Sequence, residues 1–514
     1  MSFNLATMLR ESALAQPDKD FLRFPGGART FAEVDGAAGA VAVALRARGL
    51  APGDKVAVLL PNVPEFVVAY FGILKAGLVM VPLNPLLKAG EIAYHLADSD
   101  ARLLIAADAV AQEAARALRE VPAVEPVVVG DLDTGKWPES VTAFADLLAA
   151  GDDGELYPGA ADDTAVLLYT SGTTGRPKGA ELSHFSLYMT CTIGSETFGT
   201  VPDDVVLAVL PFFHVYGLSS ILNASARNAR TVSILPRFET GAVLAAIERD
   251  RITVMAGVPT MYHALAAADS SGYDTSSLRI GSSGGAPIPE QVLRAFEAKY
   301  GIPVLEGYGL SESASTATVN PGADNRKVLS IGKPIWGVQL RIVDDEGTPL
   351  PPGPEHVGEI VLRGHSITKG YYKRPEETAQ AFRGGWFHTG DLAYADEDGF
   401  VYVVDRKKDL VIRGGFNVYP REVEELLYRH PAVAEAAVLG EPDERLGEEV
   451  VAVVSLKPGG HAEPDEIVAW AKERIAAYKY PRRVRIVPEL PKGPTGKITK
   501  VPLRQSTADG PGRG

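Results

Sequence analysis

Apolar residues follow two rhythms along this chain, and the change from one to the other divides it. Through about residue 335, short continuous apolar runs at 56–60, 78–83, 103–106, 165–169, 205–210, 232–235, 253–256 and 304–306 alternate with helical patterns such as 65–75, 242–250 and 290–299. Uninterrupted apolar strands separated by helices predict parallel sheets covered on both faces. After Trp336 the runs are joined by turn signals, at Asp345-Glu346-Gly347, Pro351-Pro352-Gly353 and Asp396-Glu397-Asp398-Gly399, which predict an antiparallel or barrel-like unit. A second change follows Asp405-Arg406-Lys407-Lys408-Asp409, where helical patterns at 422–428 and 466–477 predict a small α+β unit. The most apolar window, 66–83, is broken by Lys75, Gly77 and Pro82 and reads as a buried helix followed by a strand, not a membrane span.

Composition sets limits on this picture. At 514 residues the chain exceeds one compact core. A net charge of -14 argues against a nucleic-acid footprint. Between residues 472 and 504, however, ten basic residues face only Glu473 and Glu489, which makes either a solvated face or a landing surface for a polyanion such as ATP or CoA. One cysteine, Cys191, excludes an internal disulfide and a multi-cysteine metal site and fits a reducing, cytoplasmic compartment. The N-terminus has neither the basic start nor the apolar run of a signal peptide. The tail 506–514 is expected to be disordered.

The strongest chemical signal is Tyr169-Thr170-Ser171-Gly172-Thr173-Thr174-Gly175-Arg176-Pro177-Lys178-Gly179, directly after an apolar strand. Its glycines allow tight turns, its four hydroxyls donate to phosphate oxygens and Lys178 adds positive charge, the ingredients of a phosphate cradle. It lacks the Gly-Lys-Ser/Thr spacing of a Walker A loop, and a plain flexible linker would not end in Pro-Lys-Gly after a buried strand. A rival lies at Gly281-Ser282-Ser283-Gly284-Gly285, which satisfies the G-x-S-x-G pattern of a serine hydrolase. No downstream Asp and His stand out as its partners.

The loop 170–178 resembles the signature of the adenylate-forming superfamily of acyl-CoA synthetases, adenylation domains and luciferases, and further stretches resemble that family's motifs in the same order from about 169 to 505. The resemblance implies an α/β fold: a large N-terminal domain (1–405) of two αβ sheet subdomains plus a β-barrel-like subdomain, a hinge at 406–409 and a small mobile C-terminal α+β domain (410–505). It implies ATP, Mg2+ and CoA as cofactors. In Glu306-Gly307-Tyr308-Gly309-Leu310-Ser311-Glu312 the first residues would flank adenine and Glu312 would hold Mg2+; a hard oxygen ligand suits that ion. Ser311 stands where Thr is commoner and keeps the hydroxyl. Gly284-Gly285-Ala286-Pro287 resembles the adenine-facing loop. Asp391, in Trp386-Phe387-His388-Thr389-Gly390-Asp391, and Arg406 resemble the ribose-binding pair, a carboxylate being a good acceptor for two vicinal hydroxyls. Lys408 falls at the hinge, and Gly414-Gly415 resembles the loop lining the pantetheine tunnel.

Lys497, in Pro491-Lys492-Gly493-Pro494-Thr495-Gly496-Lys497-Ile498, resembles the catalytic lysine, joined in catalysis by Glu312, Thr170 and His214. Attack of a carboxylate on the α-phosphate brings two anions together, which fixed positive charge relieves. His214, in an aromatic segment, is given a positional role. His214, Tyr216, Gly217, Val258, Gly284 and Gly309 would border the acyl group; they are small or apolar apart from His214, and they offer no second cation for a dicarboxylate. A medium- or long-chain fatty acid is therefore favoured, with a 4-coumarate-like aryl acid next. An adenylation enzyme serving a carrier protein, a luciferase and a pure scaffold are the other readings. The expected partners are the carboxylic acid, ATP and CoA, with no nucleic acid; a monomer or homodimer and peripheral membrane contact are both compatible.

Overall fold

A computed structural model describes residues 3–132, 135–138, 140–170, 176–493 and 495–508. Two α/β sheets carry most of the large domain. In the first, Lys55–Leu59, Val79–Pro82, Ala101–Ala107, Glu125–Val129 and Thr142–Ala143 run parallel. Thr164–Thr170 joins them parallel to Val79–Pro82, then turns back antiparallel as Lys178–Ser183. In the second, Val205–Ala208, Thr231–Ile234, Val254–Gly257, Ile280–Ser283 and Val304–Tyr308 form the parallel centre. Asp20–Phe24, from the start of the chain, adds to it beside Thr231–Ile234, and antiparallel strands finish both edges.

These strands are nearly all apolar because helices cover both faces. Helix Pro64–Lys75 is buried along its length, so its continuous apolar run has no solvent stripe. Its last residue, Lys75, is 0% exposed and is tolerated because Asp35 lies 2.7 Å from the ammonium. Asp35 belongs to helix Phe31–Ala47, whose start is closed by a capping box between Thr30 and Glu33.

The third unit is an antiparallel sheet of Val338–Val343, Gly358–Gly364, Trp386–Ala395, Phe382–Arg383 and Val401–Arg406. Register irregularities between Glu359 and Val361 and between Leu392 and Ala393 interrupt its ladder; irregularities of this kind bend and twist a strand into a barrel-like curve. The C-terminal unit packs helices Pro420–Tyr428 and Pro464–Lys472 on Val411–Arg413, Phe416–Val418, Val433–Asp443, Gly447–Leu456 and Arg483–Ile486. Helix Pro464–Lys472 stops short of the expected residue 477. Beyond it, Tyr478 stacks on Phe416 and Lys479 reaches Glu422 at 2.7 Å, contacts that draw the chain off the helix axis. Helix Val501–Ala508 carries 506–508 of the expected disordered tail; 509–514 lie outside the described residues.

Among the described residues no helix is long and apolar enough to cross a membrane. Cys191 sits 2% exposed in helix His184–Thr197, and burial pushes its thiol up to about 12.

Candidate active site

All these units border one cleft of about 1950 Å³. Thr170 and Lys178 are cross-strand partners where the two strands are joined, and both line the cleft. Ser171, Gly172, Thr173, Thr174 and Gly175 lie outside the described residues. The chain that follows them is a strand, Lys178–Ser183, not a helix, so Lys178 rather than a helix dipole supplies positive charge at this end.

Glu312 faces this end from the single turn Ser311–Ser313. Its Oε1 accepts the Thr170 hydroxyl at 3.3 Å and the Tyr371 hydroxyl at 2.9 Å. The Lys178 ammonium stands 5.3 Å from the centre of the Tyr371 ring. Burial and the Glu312 charge push the Tyr371 phenol well up, so it stays a donor. Tyr371 was not foreseen; the only hint in the sequence was its glycine–aromatic setting, Gly370-Tyr371-Tyr372. The turn into Glu312 needs glycine at 309, where a Cβ would overlap the Ser315 carbonyl oxygen. Among the described residues no three His, Cys, Asp or Glu side chains gather into a metal cage. Mg2+ bound with ATP takes one or two carboxylates plus phosphate oxygens and waters, and Glu312 fits that need.

In mid-cleft, Asp391 and Arg406 are cross-strand partners, with Arg406 Nε 3.2 Å from Asp391 Oδ1. The Tyr308 hydroxyl donates to Asp391 Oδ2 at 2.6 Å. Asp391 is 3% exposed; burial pushes its carboxyl up, with Arg406 opposing. Gly307, Ser311, Ala286 and Pro287 line the same stretch. Glu306 is buried, accepts the Ile288 N–H at 3.4 Å and is pushed up to about 7 by burial, with Arg421 opposing.

Lys497 enters from the C-terminal unit. Its turn is closed by bonds from Gly493 N–H to the Lys497 carbonyl at 2.7 Å and from Gly496 N–H to the Gly493 carbonyl at 2.9 Å. The side chain lies across Gly285, φ +82°, where a Cβ would stand 2.8 Å from Nζ. Burial, then the nearby Arg406, push the ammonium down to about 8, with Asp391 opposing. Burial and Lys497 push His214 down to about 3, so it is neutral at ordinary pH, and its Nδ1 accepts the Tyr216 N–H at 3.3 Å.

Tyr216 begins a π-helical segment, Tyr216–Asn223, that no sequence pattern announced. Its ring lies 3.1 Å from where a Gly284 Cβ would stand, and its hydroxyl meets Ser282 Oγ at 3.0 Å. Ser220 and Ser315 join hydroxyls at 2.7 Å on the cleft wall, with Thr316 3.4 Å from Ser220. Two residues grouped with the acyl site stand behind that wall: Gly217 packs against the Pro211 carbonyl, and Val258 is 1% exposed beneath Gly285. Gly414 and Gly415 lie outside the cleft on an exposed hairpin, Gly414 donating to the Leu446 carbonyl at 2.7 Å. Lys408 borders the cleft between the two units. The hydrolase pattern fails here: Ser283 is 1% exposed and, among the described residues, its hydroxyl has no partner, while the hydroxyl of Ser282 is engaged by Tyr216.

Hydroxyls, a carboxylate and a lysine at one end, a carboxylate–arginine pair in the middle and a second lysine delivered by a small domain define an adenylate-forming enzyme. The chain belongs to the AMP-binding enzyme family, matching it over residues 9–372 and its C-terminal domain over 422–497. It is an ATP-dependent acid:CoA ligase that works through an acyl-adenylate, with ATP and CoA as substrates. It is 40% identical to a feruloyl-CoA synthase from an Amycolatopsis species, over 96% of this chain and 97% of the relative. It is 36% identical to a long-chain-fatty-acid–CoA ligase of Bacillus subtilis (strain 168), over 96% and 93%. The crystal structure of the anthranilate CoA ligase AuaEII with anthranoyl-AMP superposes with a TM-score of 0.93 at 31% identity, covering 99% of this chain and 98% of that one.

Proposed function

We propose that this ligase activates a hydroxylated aryl acid, with Lys497 driving adenylation from the arrangement described. The observation that carries the catalytic part is Lys497 lying against Gly285 in the cleft shared with Glu312 and Asp391. The carboxylate oxygen attacks the α-phosphorus and pyrophosphate leaves. Lys497 offsets the repulsion between the two anions, and Thr170, Lys178 and the loop between them hold the departing phosphates. Glu312 would hold Mg2+, which neutralises phosphate charge when bound. Asp391 and Arg406 hold the ribose. Ala286, Pro287, Glu306, Gly307 and Tyr308 flank the base. Rotation about Lys408 then exchanges Lys497 for the Gly414-Gly415 hairpin, the CoA sulfur attacks the acyl carbonyl and AMP leaves.

The choice of acid rests on the cleft wall. Tyr216 and Gly284 offer a flat apolar slot, but Ser220, Ser315 and Thr316 line the wall with hydroxyls. Methylenes set against that cluster would exclude the water its hydroxyls need, while a ring hydroxyl or methoxy oxygen would satisfy them. A medium- or long-chain fatty acid, the choice favoured by residue character alone, is the second reading, supported by the apolar slot and by the Bacillus relative. AMP release from ferulate, benzoate and dodecanoate, with and without CoA, separates them. Ferulate should give the highest kcat/KM; a clear preference for dodecanoate would refute the aryl assignment, and no AMP from any acid would refute the whole reading. In a Ser220→Ala/Ser315→Ala variant, the KM for ferulate should rise about five- to tenfold, the loss of one buried hydrogen bond, while that for unsubstituted cinnamate stays put.

The lowered Lys497 sets a pH dependence. Its cationic form, the one adenylation needs, exists below about pH 8 and is lost above it. For ATP–pyrophosphate exchange, kcat/KM should therefore fall as pH rises through that region. Bound triphosphate favours the cation, so the limb in kcat should lie higher. Lys497→Arg should erase the limb, and a limb that persists in that variant belongs to another group.

A further inference from the structure

We infer that Thr260 is a positioning residue for the first half-reaction, a latch that holds the Lys497 turn against the large domain; this rests on the role proposed for Lys497. Thr260 is the second residue of helix Pro259–Ala267, on the large domain. Its hydroxyl donates to the Gly496 carbonyl at 2.7 Å, across the domain boundary and one residue from Lys497. Among the described residues, no other side-chain hydrogen bond joins the turn 493–497 to the large domain.

The fit around this bond is close. Gly496 has φ +80°, and a Cβ there would stand 3.3 Å from Thr260 Oγ1 and 3.4 Å from Val258 Cγ2. The turn is closed on itself by the Gly493–Lys497 and Gly496–Gly493 bonds, so it moves as a unit and a contact at Gly496 fixes the direction of the next side chain. Among the described residues the Lys497 ammonium has no such clamp: it lies over a glycine, and the charges acting on it are Arg406, which repels it, and Asp391. The position of Lys497 is therefore set by its backbone, and the backbone is held by Thr260. Val258 beneath Gly285 completes the seat, touching the positions of both Gly285 and Gly496.

A bond of this kind must break when the small domain turns, and one neutral hydrogen bond suits that use. It is strong enough to bias the docked arrangement several-fold and weak enough to release. Misplacement of a catalytic group by a small distance lowers rate without lowering affinity for a substrate the group does not anchor.

Three variants, Thr260→Val, Thr260→Ser and Lys497→Ala, test this against wild type, using the best acid of the panel above. Valine keeps the shape and removes the donor. Thr260→Val should lower the maximal rate of ATP–pyrophosphate exchange about five- to tenfold, with an unchanged KM for the acid and unchanged melting. Thioester formation from supplied acyl-adenylate should stay within about twofold of wild type, and Thr260→Ser should restore most of the exchange. An unchanged exchange rate, an equal fall in both half-reactions, a raised KM for the acid at constant maximal rate, or no recovery with serine would each overturn the latch. Full exchange in Lys497→Ala, or no exchange in wild type with any acid, would instead overturn the reading beneath it.

Discussion

A Lys497→Ala variant loses ATP–pyrophosphate exchange by at least about 10²-fold yet still converts supplied acyl-adenylate and CoA to thioester at near the wild-type rate. The magnitude is that of removing one preorganised charge from a transition state in which two anions meet. The selectivity follows from geometry. Lys497 belongs to the C-terminal unit, and in the cleft its turn rests on Thr260 and its side chain on Gly285. In the cycle proposed above, thioester formation uses an arrangement in which that turn has left, so the missing ammonium should not be felt there. Folding should be untouched, because among the described residues the ammonium makes no ion pair with a carboxylate and burial outweighs the attraction of Asp391. Separate assays of the two half-reactions check the split, and an equal fall in both would remove Lys497 from its assigned role.

For Asp391→Asn, the affinity for ATP should drop by about 10²- to 10⁴-fold with little loss, or even a gain, in melting temperature. In the proposed ribose role, two hydroxyls donating to one buried carboxylate would make charge-assisted bonds of roughly 1.5–3 kcal/mol each, and an amide can neither accept both equally nor balance Arg406. The carboxyl is also a cost to the fold: burial pushes it up despite Arg406 at 3.2 Å. Replacing it with a neutral group of the same shape relieves that cost while leaving Tyr308 an acceptor, and the Arg406 side chain, 51% exposed, can be solvated without its partner. Calorimetric ATP titration alongside thermal melting checks both halves, and a variant that melts early and binds ATP normally would mark Asp391 as structural.

Legibility in the sequence followed the physics of each element. Pro64–Lys75 and the strands around it could be read because burial on every side leaves an unbroken apolar run, and turn-rich text after Trp336 marked the antiparallel sheet. Helix Phe31–Ala47 was missed: alanine and glycine dilute its periodicity, and its boundary signal, the Thr30–Glu33 box, is short. The segment Tyr216–Asn223 was unreadable because π-helical geometry is selected by packing, with Gly217 drawn against the Pro211 carbonyl. The motif residues of the cleft stood out because Thr170, Glu312, Asp391 and Lys497 sit in short glycine-marked strings. Ser220, Ser315 and Thr260 carry no such mark and Tyr371 only the faint one of Gly370, since each matters through a partner far away in the chain.

The one sulfur nucleophile the chain could offer is withheld. Cys191 lies 2% exposed within a helix, donates weakly to the Tyr188 carbonyl at 3.2 Å, and has its thiol pushed up to about 12 by burial. Thioesters and mixed anhydrides acylate thiolates, and oxidised CoA captures them as mixed disulfides. A protein that both manufactures activated acyl groups and handles CoA thus presents them with no thiolate of its own, so neither acylation of a cysteine nor oxidative tethering to its second substrate drains turnover.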